Sequence, residues 1–112
     1  MSHSQTTISV QNHLVTLMNV FTCPEDRQNA LVAALDEATV ELFVKQPGFI
    51  SANIHASLDR TRVVNYAQWA SQDAFEITMG RQDVREHMAE IMTIASSADP
   101  RLFTVRATHH AS

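Results

Sequence analysis

Apolar and polar positions alternate along His13–Thr22. Val15, Leu17, Asn19 and Phe21 share one side of an extended chain, and Leu14, Met18 and Val20 share the other. That period of two predicts a first β-strand over residues 13–22. Pro24-Glu25-Asp26 then reads as a helix start, with Pro in the first turn and acids at the positive end of the helix. Leu31, Ala34, Leu35, Ala38 and Leu42 follow at helical spacing, and the helix has to stop before Pro47-Gly48. A second strand is predicted from about Phe49 to Leu58. Asp59-Arg60 makes a polar turn, and a third strand returns over 62–69 as a hairpin. Ser71 suits the N-cap of a short helix ending at Met79, with Asp73 in its first turn and Gly80 as its breaker. Val84, Met88, Ile91, Met92 and Ala95 mark a further helical run. Ser96 to Pro100 reads as a loop, and residues 101–109 as the last strand.

The resulting order, β-α-β-β-α-β, predicts an α+β fold of the ferredoxin-like, split βαβ kind over residues 13–109. Residues 1–12 precede it as a flexible tail. One sheet face is covered by the helices. The other is expected to carry Leu14, Met18, Val20, Ile50, Ile54, Ala56, Val64 and Tyr66. An apolar sheet face left in water predicts a partner, and face-to-face self-association into a homodimer is the simplest.

The third strand, Val63-Val64-Asn65-Tyr66-Ala67-Gln68-Trp69, holds the main anomaly. Val63, Asn65, Ala67 and Trp69 share a face, so an amide sits with the chain's single Trp among small apolar residues. An unpaired buried amide is costly. Asn65 therefore either has a fixed internal partner or faces a cavity that a ligand can fill. Asn19 repeats the pattern beside Val15, Leu17 and Phe21. His55 shares a strand face with Ser51 and Asn53, as a base near neutral pH or a structural imidazole.

Composition narrows the classes. The 112 residues form one domain, and 45% of them are hydrophobic. Eight basic residues against 12 acidic ones give a formal charge of −4 without any basic block, so nucleic acid is not expected as a partner. No apolar run nears the roughly 18 residues of a membrane span. Met1–Thr7 lacks the features of a signal peptide, and the lone Cys23 fits a reducing cytoplasm; its position suits a small residue at a strand-to-helix corner. His109 and His110 are adjacent and point apart on a strand, and His87 has no ligand partner at helical spacing, so no metal site is expected. No Gly-rich phosphate loop is visible either, and no cofactor is expected.

Gln46-Pro47-Gly48-Phe49, Ser51-Ala52, His55-Ala56-Ser57 and Val63–Trp69 together resemble the antibiotic biosynthesis monooxygenase family. Within it, the likeness is to the cofactor-free anthrone monooxygenases of aromatic polyketide pathways such as those for actinorhodin and nogalamycin. The Pro-Gly-Phe turn is shared across the family. The Asn-Tyr-Ala-Gln-Trp run with an upstream His is more specific. The resemblance spans roughly residues 13–108. It implies a homodimer whose sheets pack into an α+β barrel, and oxidation of an anthrone to an anthraquinone by O₂ without metal or flavin.

The resemblance also assigns roles. Asn65 and Trp69 match pocket residues directly, and Asn19 matches an Asn of some members. Arg85 matches a helix Arg if a few residues are deleted between Gly80 and Asp83, where it would lower the pKa of a substrate phenol; a solvated helix Arg is the alternative. Phe75 stands where the actinorhodin type has a Tyr, so a hydroxyl is missing there. The expected site is thus Asn65, Trp69 and Asn19 for catalysis, with His55, Phe75 and Arg85 against an aromatic polyketide. Two alternatives stay open. A haem-degrading monooxygenase of the same superfold would need a His on the helix after Trp69, and residues 71–79 have none. A non-catalytic barrel that binds a small aromatic ligand would need the same pocket.

Overall fold

The computed structural model describes residues 5–11 and 13–112. The chain runs β1 (Val15–Thr22), α1 (Gln28–Glu41), β2 (Phe49–Ala56), β3 (Arg62–Trp69), α2 (Gln72–Met79), α3 (Gln82–Ile91) and β4 (Ser97–Phe103). Short 3₁₀ turns at Glu25–Arg27 and Phe43–Lys45 flank α1. The strands form one antiparallel sheet in the order β2-β3-β1-β4, the ferredoxin-like arrangement. No helix among the described residues is long and apolar enough to cross a membrane.

Local chemistry explains the boundaries. Ser71 caps α2 as expected, its hydroxyl accepting from the Ala74 N–H at 3.0 Å, and Gly80 ends that helix. Asp59 closes the β2–β3 turn. Its carboxylate accepts from the Thr61 amide and from the Thr61 and Ser57 hydroxyls, which pull its pKa down to about 2. Cys23 is buried in the main core, where desolvation pushes its thiol pKa up and disfavours the thiolate.

Two expectations need correction. The last strand is Ser97–Phe103, not 101–109, and the expected loop at 96–100 is mostly strand. Pro100 is tolerated within it because β4 is an outer strand, where a missing N–H can face away from the neighbour. Second, β2 carries an irregularity between Phe49 and Ser51. Phe49 pairs with Trp69, yet Ala52 pairs with Ala67, Ile54 with Asn65 and Ala56 with Val63. One extra residue inverts every face after it. Ile54 and Ala56 therefore face the helices, and Ser51, Asn53 and His55 lie on the open face. The segment before β1, expected as a tail, makes two hydrogen bonds to the sheet. Residues 1–4 and 12 lie outside the described residues. Of the others, Thr6 donates its hydroxyl to Asn53 Oδ1 at 2.6 Å, and the Thr7 carbonyl accepts from Gln68 Nε2 at 2.8 Å.

His87 links α3 to α1. Its Nδ1 bonds the Asp83 carbonyl at 3.0 Å, and its Nε2 lies 3.9 Å from Glu41. The carbonyl bond, with weaker help from Glu90, Glu41 and Asp83, raises its pKa above the ordinary 6.5. A raised folded-state pKa contributes stability that is fully present below the unfolded-state value and is lost as pH rises through the folded one. Wild type is therefore expected to lose more stability than His87→Gln between mildly acidic and mildly alkaline pH. The effect should be modest, because the side chain is 32% exposed. Urea midpoints of both proteins across that range check it; parallel curves would show that the link contributes nothing.

Candidate active site

A cavity of about 370 Å³ lies between the sheet and the helices. That is within the roughly 300–1,000 Å³ of small-molecule sites. Its sheet-side wall is made by β1 (Leu17, Asn19, Phe21), β3 (Asn65, Ala67, Trp69), Ala52 of β2, and Ala98 and Pro100 of β4. Alternation brings these side chains to one face. The opposite wall is made by Leu35 and Thr39 of α1, Phe75 and Met79 of α2, and Met88 and Met92 of α3 and its end; Phe43 and Phe49 close one side.

Trp69 anchors that side. It is 2% exposed, and three rings meet it edge-on: Phe49 at 5.4 Å between centroids, Phe75 at 5.8 Å and Phe43 at 6.4 Å. Edge-to-face contacts fix the indole plane. Asn19 and Asn65 face each other across β1 and β3 in register. Among the described residues Asn19 Oδ1, Asn65 Oδ1 and Trp69 Nε1 are buried without a hydrogen-bond partner.

Other buried or half-buried amides in this fold are well partnered. Gln28 donates to the carbonyls of Ser57 and Arg62, both at 2.9 Å. Gln68 accepts from Ser51 and donates to Thr7. Asn53 donates to the Tyr66 carbonyl at 3.1 Å. The three unpartnered atoms all belong to residues lining one cavity. Each such atom costs about 1–3 kcal/mol unless something completes it. A half-turn of either amide exchanges C=O for N–H₂, so the pair can donate, accept or do both, and the indole can only donate. Every other group on the lining is apolar except Thr39, whose hydroxyl is turned to the Leu35 carbonyl at 2.8 Å. The lining contains no ionisable side chain. The arrangement suits a flat, largely apolar molecule with polar atoms on one edge.

The expected site residues separate into two groups. Asn19, Asn65, Trp69 and Phe75 meet at the cavity. His55 does not: it is exposed on the open sheet face, its Nδ1 bonded to the Asn53 carbonyl at 3.1 Å, beside Thr6, Ile8 and Tyr66. The β2 irregularity puts it there. Arg85 is exposed on α3 and lies outside the lining, because Val84, Met88 and Ile91 form the inward stripe of that helix. Phe43, Phe49 and the three methionines were not anticipated as site residues. A Leu-Phe-Val run just before Pro47-Gly48, and three of five methionines falling within residues 79–92, were the available signals.

Known proteins share both the sequence pattern and the shape. The chain is 45% identical over 69 residues to tetracenomycin-F1 monooxygenase of Streptomyces glaucescens, an alignment covering 62% of each protein. Its fold matches the crystal structure of SnoaB, a cofactor-independent oxygenase of Streptomyces nogalater, with a TM-score of 0.70, 26% identity, and coverage of 85% of this chain and 95% of that one. It also matches a monooxygenase from the gene ActVA-Orf6 of Streptomyces coelicolor in complex with nanaomycin D, with a TM-score of 0.72, 28% identity, and coverage of 88% and 92%. Residues 14–90 match the family model for antibiotic biosynthesis monooxygenases, and the chain belongs to that family.

Proposed function

We propose that this protein is a cofactor-independent monooxygenase that oxidises an anthrone-type aromatic polyketide to the corresponding anthraquinone with O₂. The observation that carries the reading is that the three buried, unpartnered polar atoms all belong to residues lining one otherwise apolar cavity. Support also comes from the relatives, one described as a cofactor-independent oxygenase and another as a monooxygenase holding nanaomycin D.

An anthrone carries its own reactivity. Loss of a proton from its CH₂ gives an aromatic, electron-rich enolate. That anion passes one electron to O₂, and the radical pair combines to form a C–O bond and a peroxide. The peroxide then loses water: the O–O bond breaks, the remaining C–H bond supplies the carbonyl electrons, and one oxygen atom stays on carbon. The protein's part is to hold a flat substrate, stabilise the forming oxyanion and exclude bulk water. Asn65 donates to the substrate oxygen, Asn19 orients beside it, and Trp69 supplies a wall and an N–H. Phe75 packs the indole and cannot relay a proton.

With no ionisable group on the lining, the proton leaves to the substrate's own phenolate or to water. The pH dependence of turnover should then follow the acidity of the substrate and shift when a more or less acidic anthrone is used. Oxygen uptake by the purified protein with an anthrone, in the presence of a chelator, tests the reading directly. Uptake that requires added flavin, haem or metal would overturn it, and tight anthrone binding without uptake would leave a binding protein.

The same reading includes a homodimer, formed through the open sheet face where Met18, Val20, Val64 and Tyr66 are half-buried in one chain, and a cytoplasmic setting, consistent with a single cysteine. Light scattering should give twice the 12.5 kDa chain mass; a stable monomer at micromolar concentration rules the dimer out.

A further inference from the structure

The helix-side wall of the cavity holds side chains that the proposed reaction does not use. Met79, Met88 and Met92 all line it. Met92 is 39% exposed and Pro100 across from it is exposed too, so this wall runs out to where the cavity meets solvent. The polar atoms lie opposite, on the sheet side, at Asn19, Asn65 and Trp69. A flat anthrone whose carbonyl oxygen accepts from the Asn65 amide N–H₂ and the Trp69 N–H turns the carbon across the central ring toward the methionines. That carbon is the one that receives O₂. The C–O–O–H group therefore forms against thioethers, and no side-chain acid stands on the lining to hasten its loss of water.

We infer that Met79, Met88 and Met92 are sites of turnover-dependent self-oxidation, a modification that rests on the proposed monooxygenase reading. The substrate-bound hydroperoxide passes its terminal oxygen to a methionine sulfur. The sulfur lone pair forms the new S–O bond and the O–O bond breaks. The thioether is oxidised to the sulfoxide, the hydroperoxide is reduced to the alcohol, and the hydroperoxide proton ends on the alkoxide oxygen. The sulfoxide replaces an apolar, adaptable side chain with a polar one. Each such event roughens the apolar wall, so activity should decay with the number of turnovers rather than with time.

Met18 is a control within the chain. It is half-buried on the opposite face of the sheet and does not line the cavity. The test incubates the full chain with dithranol, a dihydroxyanthrone, and O₂ in the presence of catalase, counts the quinone formed, and maps oxidised peptides by mass spectrometry. Gain of one oxygen on at least one of Met79, Met88 and Met92 is expected. It should increase with the quinone count, with Met18 unchanged. Met88→Leu combined with Met92→Leu should yield severalfold more quinone before the rate has halved. Quinone without sulfoxide at these positions overturns the inference alone. Sulfoxide that appears only in a parallel incubation without catalase, or that reaches Met18 equally, assigns the damage to released peroxide and also overturns it. Absence of quinone overturns the proposed function and this inference with it.

Discussion

Asn65→Ala is expected to lower kcat by roughly tenfold to a thousandfold while KM changes much less. The proposed donor acts on charge that develops as the enolate forms, so its loss is felt in the chemical step. Binding depends on the aromatic and apolar walls, which the substitution leaves in place. Stability should move the other way. The Asn65 oxygen has no protein partner in its buried position, so removing it relieves an unmet hydrogen-bonding requirement. The melting temperature should be unchanged or slightly higher, as is common where a site residue is kept at the expense of stability. Trp69→Phe separates shape from hydrogen bonding, because it keeps a ring against Phe43, Phe49 and Phe75 and deletes the N–H. Steady-state kinetics with thermal melts of both variants check these effects. A folded Asn65→Ala protein with undiminished kcat would make Asn65 structural and pass the role to Asn19, its cross-strand neighbour.

The grouping of Asn19, Asn65 and Trp69 on one sheet face was legible because they sit on regular strands. Alternation along β1 and β3 places Asn19, Asn65 and Trp69 on one face, and nothing interrupts either strand between them. An amide in an apolar register is visible in the sequence. What is not visible is whether a partner lies within reach: Gln28 has two carbonyls to donate to, and the Asn65 oxygen has no partner. His55 was misplaced for the converse reason. The irregularity between Phe49 and Ser51 adds one residue to one strand, and no turn residue or charge marks it. Everything beyond it changes face, which removes His55 from the cavity and adds Ile54 to the core. Arg85 was placed by likeness to a helix position in relatives, and the inward stripe of α3 falls one residue to the side, at Val84. The position of β4 depended on whether Pro100 lay at the centre or the edge of the sheet, a fact of topology rather than of local propensity.

Gly48→Ala is expected to destabilise the fold by roughly 2–4 kcal/mol, enough to lower the melting temperature on the order of ten degrees. Two independent effects add. Gly48 has a φ of 85°, a left-handed conformation that disfavours any side chain. A Cβ built there would also lie 2.5 Å from the Ala74 Cβ, closer than two carbon atoms can pack. Relief requires α2 to move, because the Gly48 carbonyl is held by the Ala70 N–H at 2.7 Å and Phe49 is already paired with Trp69 in the sheet. The residue after Ala74 on that helix is Phe75, whose ring meets Trp69 edge-on. A shift of α2 would therefore loosen one of the three rings that hold the indole, and activity should fall along with stability. The only other glycine provides the control. Gly80 has a φ of −82°, and a Cβ there would meet nothing nearer than backbone oxygens at 3.5 and 3.6 Å, ordinary contact distances. Gly80→Ala should therefore be near neutral, or slightly stabilising through the lower entropy of the unfolded chain. Denaturant titration of the two single variants against wild type measures the contrast. Equal stabilities for the two would mean that the turn before β2 adapts freely, and that the position of Phe75 is set by something other than the close approach of Gly48 to α2.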